Sequence, residues 1–446
     1  MQISNNVKYI ISELYKNNFE AFIVGGSVRD FLLNKKPKDF DIATNALPQD
    51  IINIFEKTIP TGIKHGTITV LINNESFEIT TYRIDGEYKD NRHPKEVIFV
   101  SNIEKDLSRR DFTINAMAYN EKEGLIDFFN GKEDLKNKII KTVGESNKRF
   151  KEDALRILRA IRFSCQLDFS IEENTLKAIK ENRHLISNIS IERIRDEFIK
   201  ILLSQTPSKG LILLKNCNLL NLIIPELEVT IGFDQRTPYH NKDVFNHTLQ
   251  VLGNVPSNLI LRLAALFHDI GKPHCFFLDE NNIGHFYGHN KKSEEITKFI
   301  LKRLKFDNET INKVCILIKE HMNVLVNPKD STLKKMINRV GENLIFDLFT
   351  LQKEDIKATA PPFLYLEKVD YMEAKCIEIL NSKAPISTKH LNLNGNDLIN
   401  YLNIKPGKII GEILDILLDK VLDNPQLNNK EILLNLSKKI LKDINN

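Results

Sequence analysis

The chain has 446 residues and a formal net charge of +4, with 42% hydrophobic and 27% charged residues. Its length predicts roughly two to four domains. No apolar run reaches the roughly 18 residues that a membrane span needs, and the N-terminus lacks the layout of a signal peptide. The five Cys form no C-x-x-C pair, which argues against a zinc ribbon or a disulfide framework. We therefore expect a cytoplasmic protein. Its small net charge permits a nucleic-acid partner without requiring one.

Short β-rich runs alternate with polar turns and helical stretches up to about residue 130. Among these runs are AFIVGG, TITVLI, SFEITTYR and VIFV, which predict a mixed α/β domain. After LIDFFNGKEDLKNKIIKTVG the strand signals nearly stop, and helical periods punctuated by proline follow. The rest of the chain is therefore predicted to be nearly all α.

The segment AFIVGGSVRDFLL begins the first candidate site. An apolar strand over residues 21–24 leads to Gly25 and Gly26, which let the backbone turn sharply and approach a ligand. The helix that begins there offers its N-terminal N–H groups to an anion. Arg29, in the first turn of this helix, adds a planar donor for phosphate oxygens.

The segment KDFDIAT comes next and is predicted to be a strand. Alternation along a strand would place Asp39 and Asp41 on one face, where their like charges call for a cation. A pair of Mg²⁺ ions would neutralise them and hold the attacking and leaving oxygens of a phosphoryl displacement. A plain turn and a solvated strand edge explain each element singly, but the two elements in this order are much more specific.

This combination resembles the nucleotidyltransferase superfamily that includes DNA polymerase β. It is most similar to the class II tRNA nucleotidyltransferases, which are the CCA-adding enzymes, and to the related bacterial poly(A) polymerases. The resemblance implies that Gly26 and Arg29 hold the phosphates of the incoming nucleotide and that Asp39 and Asp41 bind the catalytic metals. The superfamily usually has a third carboxylate on a neighbouring strand; Glu78 in SFEITTYR is the candidate, with an exposed strand residue as the alternative.

Two further segments agree with the family in the expected order. RRDFTINAMAYN (109–120) matches its second signature, in which Arg110 would contact the nucleotide triphosphate. DGEYKDNRHPKEV (85–97) fits the flexible loop between strands of the family's head domain. Because members that add only cytidines tend to lack this loop, its presence favours an enzyme that can add the terminal adenosine.

The segment EDALRILRAIRF (152–163) is predicted to be an amphipathic helix. Its apolar residues recur at helical spacing, and four polar residues step around the opposite side: Asp153, Arg156, Arg159 and Arg162. As an isolated segment it would be a surface helix with an i,i+3 Asp–Arg pair, which contributes only about a few tenths of a kcal/mol.

The chemistry of the base edges favours a larger role for this segment. A carboxylate accepts a hydrogen bond from the amino group of cytosine or adenine, and an Arg donates to the neighbouring ring acceptor. Guanine and uracil present a carbonyl and a ring N–H instead, so each mismatched group costs roughly 1–3 kcal/mol. Asp153 with Arg156 could therefore select C or A. The family resemblance implies this use, with Arg159 and Arg162 serving the triphosphate or the base, and IERIRDEF (191–198) supporting them.

Seven of the eleven His residues lie between His240 and His321. The segments HNKDVFNHTLQVLG, RLAALFHDIGKP and LFTLQKEDIKATA follow the H…HD…D order of HD-domain phosphohydrolases. Four residues would bind a divalent transition metal through imidazole and carboxylate groups: His247, His268, Asp269 and Asp355. His289 and His321 could extend the site to a second ion. The pattern leaves open whether the site hydrolyses phosphoesters or is kept for its packing.

The C-terminal segment 391–440 resembles the tail of many CCA-adding enzymes that have HD domains. Its sequence KPGK, residues 405–408, turns into a helix N-terminus that suits a backbone phosphate. A plain helix–turn–helix end explains this turn equally well.

The resemblance covers nearly the whole chain and implies an α+β protein: a mixed α/β, polymerase β-like nucleotidyltransferase head followed by all-α neck, body and tail. The predicted parts are the head (1–140), a nucleotide-templating neck (141–206), a body with the HD domain (207–365) and a tRNA-binding tail (366–446). The implied reaction is stepwise addition of C, C and A to the 3′ end of tRNA from CTP and ATP, with Mg²⁺ at the head site. We expect a monomer or homodimer without membrane contact.

Other functions share parts of this pattern. An A-adding or CC-adding enzyme would carry every catalytic motif, and a poly(A) polymerase would share the head and neck. From a different class, an HD-domain phosphohydrolase or a non-catalytic RNA-binding protein would need neither the paired Asp residues nor Arg110.

Overall fold

The computed structural model describes residues 3–37, 39–86, 96–382 and 384–445. The chain forms two compact units, Met1–Glu228 and Val229–Asn446. Residues 207–228 fall within the first unit, and the finer partition into head, neck, body and tail stays a prediction. None of the helices in the described ranges has the length and apolar character that a membrane crossing requires.

A mixed sheet organises the first unit. Its strands and those of two small pairs are, in chain order, β1 (Ala21–Val24), β2 (Asp41–Thr44), β3 (Thr58–Gly62), β4 (Thr67–Ile72), β5 (Glu75–Thr81), β6 (Arg83–Asp85), β7 (Val97–Phe99), β8 (Ala118–Asn120), β9 (Gly124–Ile126), β10 (Ile139–Ile140) and β11 (Ser170–Ile171). The main sheet has the order β3-β4-β5-β2-β1-β8-β9. Only its β2–β5 neighbours run parallel; the other neighbours are antiparallel.

The helices of the first unit cover both faces of this sheet and continue beyond it. They are α1 (Asn5–Lys16), α2 (Gly26–Leu32), α3 (Pro48–Ile54), α4 (Ile103–Ser108), α5 (Gly131–Lys136), α6 (Ser146–Glu152), α7 (Leu155–Leu167), α8 (Glu173–Asn182), α9 (Ile191–Leu202), α10 (Pro207–Asn216) and α11 (Leu220–Ile223). In β1, Ala21 and Ile23 join one core cluster while Phe22 and Val24 join another. Period-two alternation between two covered faces explains why the whole strand is apolar.

The strand β2 begins at Asp41. Its antiparallel partner β1 ends at Val24, opposite Asp41, because Gly25 turns the chain with a φ of 72°. Asp39 precedes the strand, and its carbonyl oxygen accepts a hydrogen bond from Ser27 Oγ at 2.7 Å. The prediction of one strand carrying both acidic residues is therefore wrong for Asp39, because it lies before β2 and its carbonyl oxygen bonds to a residue of α2.

The predicted helix over 152–163 is interrupted at its start. α6 ends at Glu152 and α7 begins at Leu155, while Asp153 between them has φ −136° and ψ 103°. The Asp153 carboxylate accepts a hydrogen bond from the Leu155 amide at 3.1 Å, a local bond that competes with helix continuation and starts the next helix. The apolar stripe itself is fully buried, as predicted: Ala154, Ile157, Leu158 and Ile161.

The second unit is helical apart from one short strand pair. Its elements are α12 (Val244–Asn254), α13 (Leu259–Phe267), α14 (Lys272–Cys275), β12 (Phe277–Leu278), β13 (Gly284–His285), α15 (His289–Arg303), α16 (Asn308–Glu320), α17 (Asp330–Val340), α18 (Ile345–Lys357), α19 (Leu366–Asn381), α20 (Gly395–Leu402), α21 (Lys408–Asp423) and α22 (Lys430–Asn445). The prediction of a mixed α/β N-terminal region followed by a mostly helical remainder is confirmed.

Candidate active site

The turn between β1 and α2 requires glycine. Gly25 has φ 72° and ψ −132°, a conformation that residues with a Cβ rarely adopt. A Cβ at this position would also lie 2.9 Å from Nη1 of Arg110. Gly26 is the first residue of α2, where unpaired N–H groups favour an anion. The turn therefore brings a helix N-terminus and the Arg110 guanidinium together.

Arg29 lies against the same turn. A Cβ on Gly26 would be 3.6 Å from Arg29 Nη2. The guanidinium donates from Nη1 to Asn115 Oδ1 at 2.8 Å and from Nε and Nη2 to Asp30 Oδ1 at 2.8 and 2.7 Å. These bonds fix a mostly buried cation beside the N-terminus of α2.

Asp39 and Asp41 are both exposed at the start of β2. Desolvation by the surrounding protein raises the pKa of Asp41; Arg110 opposes this rise, and the Asp39 carboxylate adds to it. The two carboxylates and Arg110 thus interact electrostatically, and a second positive charge beside Asp41 would relieve the repulsion between the carboxylates.

Glu78 lies on β5, the parallel neighbour of β2. Ile42 is paired with Ile79, so continuing this register by one residue places Glu78 beside Asp41 on the same face of the sheet. The Glu78 side chain is exposed. Within the described residues, Glu78 belongs to neither of the clusters in which three or more ligand atoms approach within 4.8 Å. Its role as a third carboxylate stays a prediction.

A buried carboxylate holds the arginines of the second signature. Asp106 is 1% exposed and contacts Arg109 Nη2 at 2.8 Å and Arg110 Nη2 at 3.3 Å. Burial alone would raise the pKa of Asp106, but Arg109 and Arg110 outweigh it and the pKa is lowered. Asp106 therefore stays ionised and fixes Arg110 next to the glycine turn.

The polar residues at the start of α7 do not pair with each other. Arg156 Nη1 donates to Glu152 Oε2 at 2.9 Å and Nη2 donates to the Arg109 carbonyl oxygen at 2.9 Å. The Asp153 carboxylate instead faces Arg193 of α9, with Oδ2 3.3 Å from Nη2. The expected i,i+3 pair of Asp153 with Arg156 is absent because the chain leaves helical geometry at Asp153.

Arg159 and Arg162, one turn further along α7, bind separate carboxylates. Arg159 Nε donates to Asp111 Oδ2 at 2.8 Å, and Arg162 Nη1 donates to Glu197 Oε1 of α9 at 2.9 Å. Burial favours protonation of Asp111, yet Arg159 outweighs it and lowers the pKa of Asp111 to about 2. The predicted polar face is consequently not a solvated surface: Arg162 is 6% exposed.

Three guanidinium groups surround the ring of Phe163. Their Cζ atoms lie 4.1 Å (Arg162), 5.3 Å (Arg29) and 5.5 Å (Arg159) from the ring centroid. We call Arg29, Arg159 and Arg162 the arginine cluster. Desolvation, with the neighbouring charge of Arg159 adding to it, lowers the pKa of Arg162 to about 10. An anion placed beside this cluster would relieve the mutual repulsion of its members.

A second group of polar side chains lies in the second unit and consists of two ligand sets that share one carboxylate. The first set is His247, His268, Asp269 and Asp355; the second is Asp269, His289 and His321. We call these six residues the HD cluster. Asp269 Oδ2 lies 3.3 Å from His268 Nε2, and its Oδ1 lies 3.3 Å from His289 Nε2. The two oxygens of Asp269 therefore face different sets.

Backbone carbonyls orient the imidazoles of the HD cluster. The Nδ1 atoms of His268, His289 and His321 lie 2.9, 2.8 and 2.6 Å from the carbonyl oxygens of residues 265, 286 and 318. A carbonyl only accepts, so each Nδ1 donates and each Nε2 faces the interior of the cluster. The Nε2 atoms of His289 and His321 face each other at 3.4 Å. A shared proton or a bound cation would stabilise two ring nitrogens at this distance.

The pKa values of the HD cluster follow its charge balance. Burial would lower the pKa of His268, but the Asp269 and Asp355 carboxylates outweigh it and raise this pKa to about 10, so His268 carries the positive charge that a bound metal would replace. Burial, with the charges of His268 and His289 adding to it, lowers the pKa of His321 to about 3, so its ring is neutral. Burial would raise the pKa of Asp355, but His247 and His268 outweigh it and lower it well below its usual value. Neutral imidazole and ionised carboxylate are the forms that bind metal ions.

The HD cluster opens into a cavity of about 640 Å³ within the second unit. Asp269, His289, His321 and Asp355 line it together with Lys272 and several aromatic side chains. Lys272 Nζ contacts Asp269 Oδ2 at 2.7 Å and donates to Gln235 Oε1 at 2.9 Å. The cluster is thus accessible from the surface of the unit.

Three family models match successive parts of the chain. The "Poly A polymerase head domain" matches residues 21–141, the "RNA and SrmB- binding site of polymerase A" matches 168–230, and "tRNA nucleotidyltransferase domain 2" matches 285–436. The second match ends at 230 and the third begins at 285, so His247, His268 and Asp269 lie between them.

Full-length relatives decide the family. The chain is 35% identical over 443 residues to the CCA-adding enzyme of Ligilactobacillus salivarius, covering 97% of this chain and 96% of that protein. It is 34% identical over 436 residues to the CCA-adding enzyme of Bacillus cereus, covering 97% of both. The chain belongs to the CCA-adding enzyme family.

A solved structure of the CCA-adding enzyme family has the same fold. The crystal structure of the Bacillus stearothermophilus CCA-adding enzyme in complex with CTP is 28% identical, covers 99% of both chains and has a TM-score of 0.72. The tRNA nucleotidyltransferase resemblance predicted from the motifs is confirmed.

Several residues that shape the CCA-adding site were not predicted from the sequence. Asp106 lies four residues before Arg110, a helical spacing that could have been noticed. Asp111 stands inside the quoted signature beside Arg110. Phe163 and Glu197 also lie inside the quoted segments 152–163 and 191–198, but a Glu or Phe on an amphipathic helix is ordinary until its neighbours are known.

Proposed function

We propose that the chain adds C, C and A stepwise to the 3′ end of tRNA from CTP and ATP and releases pyrophosphate. The observation that carries this proposal is the arginine cluster, in which Arg29 of the glycine turn and Arg159 and Arg162 of α7 meet around Phe163. It joins the phosphate-binding turn to the segment that selects the base. Full-length similarity to CCA-adding enzymes supports the same activity.

The head site suits Mg²⁺. Carboxylate oxygens are the ligands that Mg²⁺ prefers. Desolvation, with the Asp39 carboxylate adding to it, raises the pKa of Asp41, and a bound cation would favour the ionised form again. Asp39 and Asp41 would hold the metal, which when bound would activate the attacking hydroxyl and stabilise the charge on the displaced phosphate. Arg110, Arg29 and the N-terminus of α2 would then hold the triphosphate beside it.

Base selection would use Asp153 and Arg156. Among the described residues, the Leu155 amide and a long contact from Arg193 hold the Asp153 carboxylate, so it can take up a base amino group without losing a short ion pair. Arg156 is anchored by Glu152 and a backbone carbonyl, which restricts the guanidinium to few directions. A fixed donor next to an adaptable acceptor fits C and A by the same two contacts.

The extent of addition is tested directly. Incubating the protein with tRNA that lacks its 3′ end, and with CTP, ATP or both, separates the alternatives by product length. Addition of three nucleotides only when both are present supports the proposal. Stopping after two cytidines, adding only adenosine, or long adenosine runs would instead identify a CC-adding enzyme, an A-adding enzyme or a poly(A) polymerase. Most of the loop 85–97, which favoured full addition, lies outside the described residues.

tRNA is the proposed macromolecular partner. The turn at residues 405–408 leads into α21, with Gly407 before its first residue Lys408, and a helix N-terminus suits a tRNA phosphate. Truncation before residue 391 should then raise the Kd for tRNA while the site in the first unit still binds CTP. Whether one chain or a pair of chains forms the working enzyme is measured by light scattering.

A second function is proposed for the HD cluster: hydrolysis of phosphoesters with a bound divalent transition metal. The two ligand sets of the HD cluster favour it, because the imidazole and carboxylate ligand atoms of each set lie within 4.8 Å of one another. Elemental analysis of the purified protein and hydrolysis of bis(p-nitrophenyl) phosphate test it. His268→Ala should abolish hydrolysis and leave nucleotide addition intact; a protein that holds no divalent metal under any loading condition has kept the cluster for packing.

A further inference from the structure

A series of side-chain hydrogen bonds connects the glycine turn with α7. Asn115, the last residue of the one-turn 3₁₀ helix Thr113–Asn115, lies in the middle of it. The Asn115 Oδ1 accepts a hydrogen bond from Arg29 Nη1 at 2.8 Å, and its Nδ2 donates to Asp111 Oδ1 at 3.2 Å. The other oxygen of Asp111 accepts from Arg159 Nε at 2.8 Å. We call the series Arg29, Asn115, Asp111 and Arg159 the amide bridge.

The Asn115 side chain satisfies two neighbours of opposite polarity. A guanidinium has only donors and an ionised carboxylate only acceptors, so the residue between Arg29 and Asp111 has to accept at one atom and donate at another. Burial would raise the pKa of Asp111, but Arg159 outweighs it and lowers this pKa to about 2. Asp111 is therefore ionised at neutral pH and has no proton to donate, which determines the orientation of the Asn115 amide.

Asn115 is packed tightly against the glycine turn. It is 7% exposed, and its backbone N–H donates to the Phe112 carbonyl oxygen at 2.9 Å. The Asn115 carbonyl oxygen would lie 3.9 Å from a Cβ on Gly25, and the Gly25 amide donates to the Met117 carbonyl oxygen at 3.2 Å. Asn115 therefore orients the Arg29 guanidinium from a fixed position.

Both ends of the amide bridge belong to the arginine cluster. The Cζ atoms of Arg29 and Arg159 lie 5.3 and 5.5 Å from the centroid of the Phe163 ring. The order cation, amide, carboxylate, cation places one negative charge between the two positive ones and offsets part of their repulsion. The bridge thus holds a guanidinium from the turn before α2 and one from α7 around the same ring, where a single polyphosphate could contact both.

We propose that Asn115 is a positioning residue for nucleotide addition: it aligns Arg29 with Arg159, through Asp111, so that both guanidinium groups hold one triphosphate. In this role Asn115 acts through its neighbours and does not contact the substrate. That the anion is the triphosphate of CTP or ATP rests on the proposed function, whereas the alignment of the two guanidinium groups for a polyphosphate does not.

Calorimetric titration with tripolyphosphate, which has neither base nor sugar, tests the alignment. EDTA in the buffer keeps metal ions from binding the anion. Asn115→Asp places two carboxylates side by side and should raise the Kd roughly ten-fold or more, whereas Asn115→Ala, which removes both bonds without adding a charge, should raise it by less. Asn120→Asp is the matched control, because Asn120 is also buried and its Nδ2 donates to the Ala21 carbonyl oxygen at 3.1 Å. It should keep the wild-type Kd.

The partner of Asn115 provides a second test. In an Asp111→Asn background, the carboxylate introduced by Asn115→Asp would accept a hydrogen bond from an amide instead of facing another carboxylate. Asn115→Asp should therefore raise the Kd by a smaller factor in this background than in the wild type. An equal factor in both backgrounds, or no difference in Kd between the Asn115 variants and Asn120→Asp, overturns the proposal. Asn115→Ala carries the comparison with the control if Asn115→Asp does not fold.

Steady-state kinetics distinguishes positioning from a merely structural role. Asn115→Asp should raise the KM for CTP and for ATP by the same factor and change kcat little, because the phosphates are common to both nucleotides and are held before and during the reaction. A lower kcat with unchanged KM values would show a structural role and overturn the proposal. A wild type that adds no nucleotide, yet binds tripolyphosphate with a Kd that depends on Asn115, overturns the proposed function and leaves the alignment standing.

Discussion

The arginine cluster and the HD cluster balance their charges in opposite ways. In the arginine cluster each cation has its own carboxylate partner: Asp30 for Arg29, Asp111 for Arg159 and Glu197 for Arg162. The arginine cluster can therefore fold without a bound anion and bind one afterwards. In the HD cluster the ligand atoms face one another, as the Nε2 atoms of His247 and His268 do at 3.4 Å, and one external cation, the Lys272 ammonium, contacts Asp269 Oδ2. A site of this second kind offers converging ligand atoms that a divalent cation would bind.

The largest expected effect separates the two sites by activity. Asp41→Asn should lower the rate of nucleotide addition by roughly a thousand-fold, because the metal that it helps to hold supplies several kcal/mol of transition-state stabilisation. The measurement is single-turnover extension of tRNA in Mg²⁺. The metal content of the HD cluster should not change.

Glu78→Gln and Glu75→Gln sharpen this experiment. Both residues lie on β5, but on opposite faces. If Glu78 is the third carboxylate, Glu78→Gln should lower the rate of nucleotide addition as Asp41→Asn does, while Glu75→Gln should keep the wild-type rate. Extension by Asp41→Asn at the wild-type rate would falsify the metal assignment at the head site.

The next effect concerns metal content. Asp269→Asn should lose metal from both ligand sets, because its two oxygens face different sets, whereas Asp355→Asn should weaken the first set alone. Elemental analysis after loading and dialysis measures this. Asp330→Asn, an exposed residue outside both sets, is the control. If Asp269→Asn and the control retained the same amount of metal, Asp269 would not be a ligand shared by the two sets.

A smaller effect, in selectivity, tests the base-reading residues. Asp153→Ala should raise the use of UTP and GTP relative to CTP by roughly ten- to hundred-fold, because the carboxylate no longer repels a carbonyl oxygen. Arg156→Ala should instead slow CTP and ATP, which both use its donor. Incorporation rates of the four nucleotides distinguish the loss of selectivity from the loss of rate. Asp196→Ala, on the exposed surface of α9, is the control. Unchanged refusal of UTP and GTP by Asp153→Ala would show that the selecting residues lie elsewhere.

The local chemistry of both sites could be predicted from sequence because it depends on residue types at short spacing. The glycine turn, Arg29 and the apolar stripe of α7 need only neighbouring residues to be recognised, and the structure has them where the spacing predicted them. The H…HD…D order predicted the first ligand set, and its side chains meet within 4.8 Å.

Long-range partners could not be predicted in the same way. Whether Asp39 joins a strand depends on where β1 ends, and whether Asp153 continues a helix depends on a competing bond to Leu155. The alternative of a simple surface helix would leave the polar residues of α7 solvated, yet Arg162 is buried because Glu197, 35 residues later, neutralises it. Such pairings are set by tertiary packing, which overrides local periodicity.

The smallest expected effect tests the internal charge balance of the head site. The folded-state pKa of Asp111 is about 2, below the value of about 3.9 of an unfolded chain. A depressed pKa stabilises the fold at pH values above the unfolded value, and this stabilisation is lost as the pH falls towards 2. Asp111→Asn should therefore lower the free energy of unfolding by about 2 kcal/mol at pH 7, and the difference from wild type should shrink between about pH 4 and pH 2. Urea midpoints of the two proteins measure it. Asp196→Asn, which removes an exposed ion pair, should show little difference at any pH. A difference for Asp111→Asn that stays constant down to pH 2 would mean that the Asp111 carboxylate is not held ionised by Arg159.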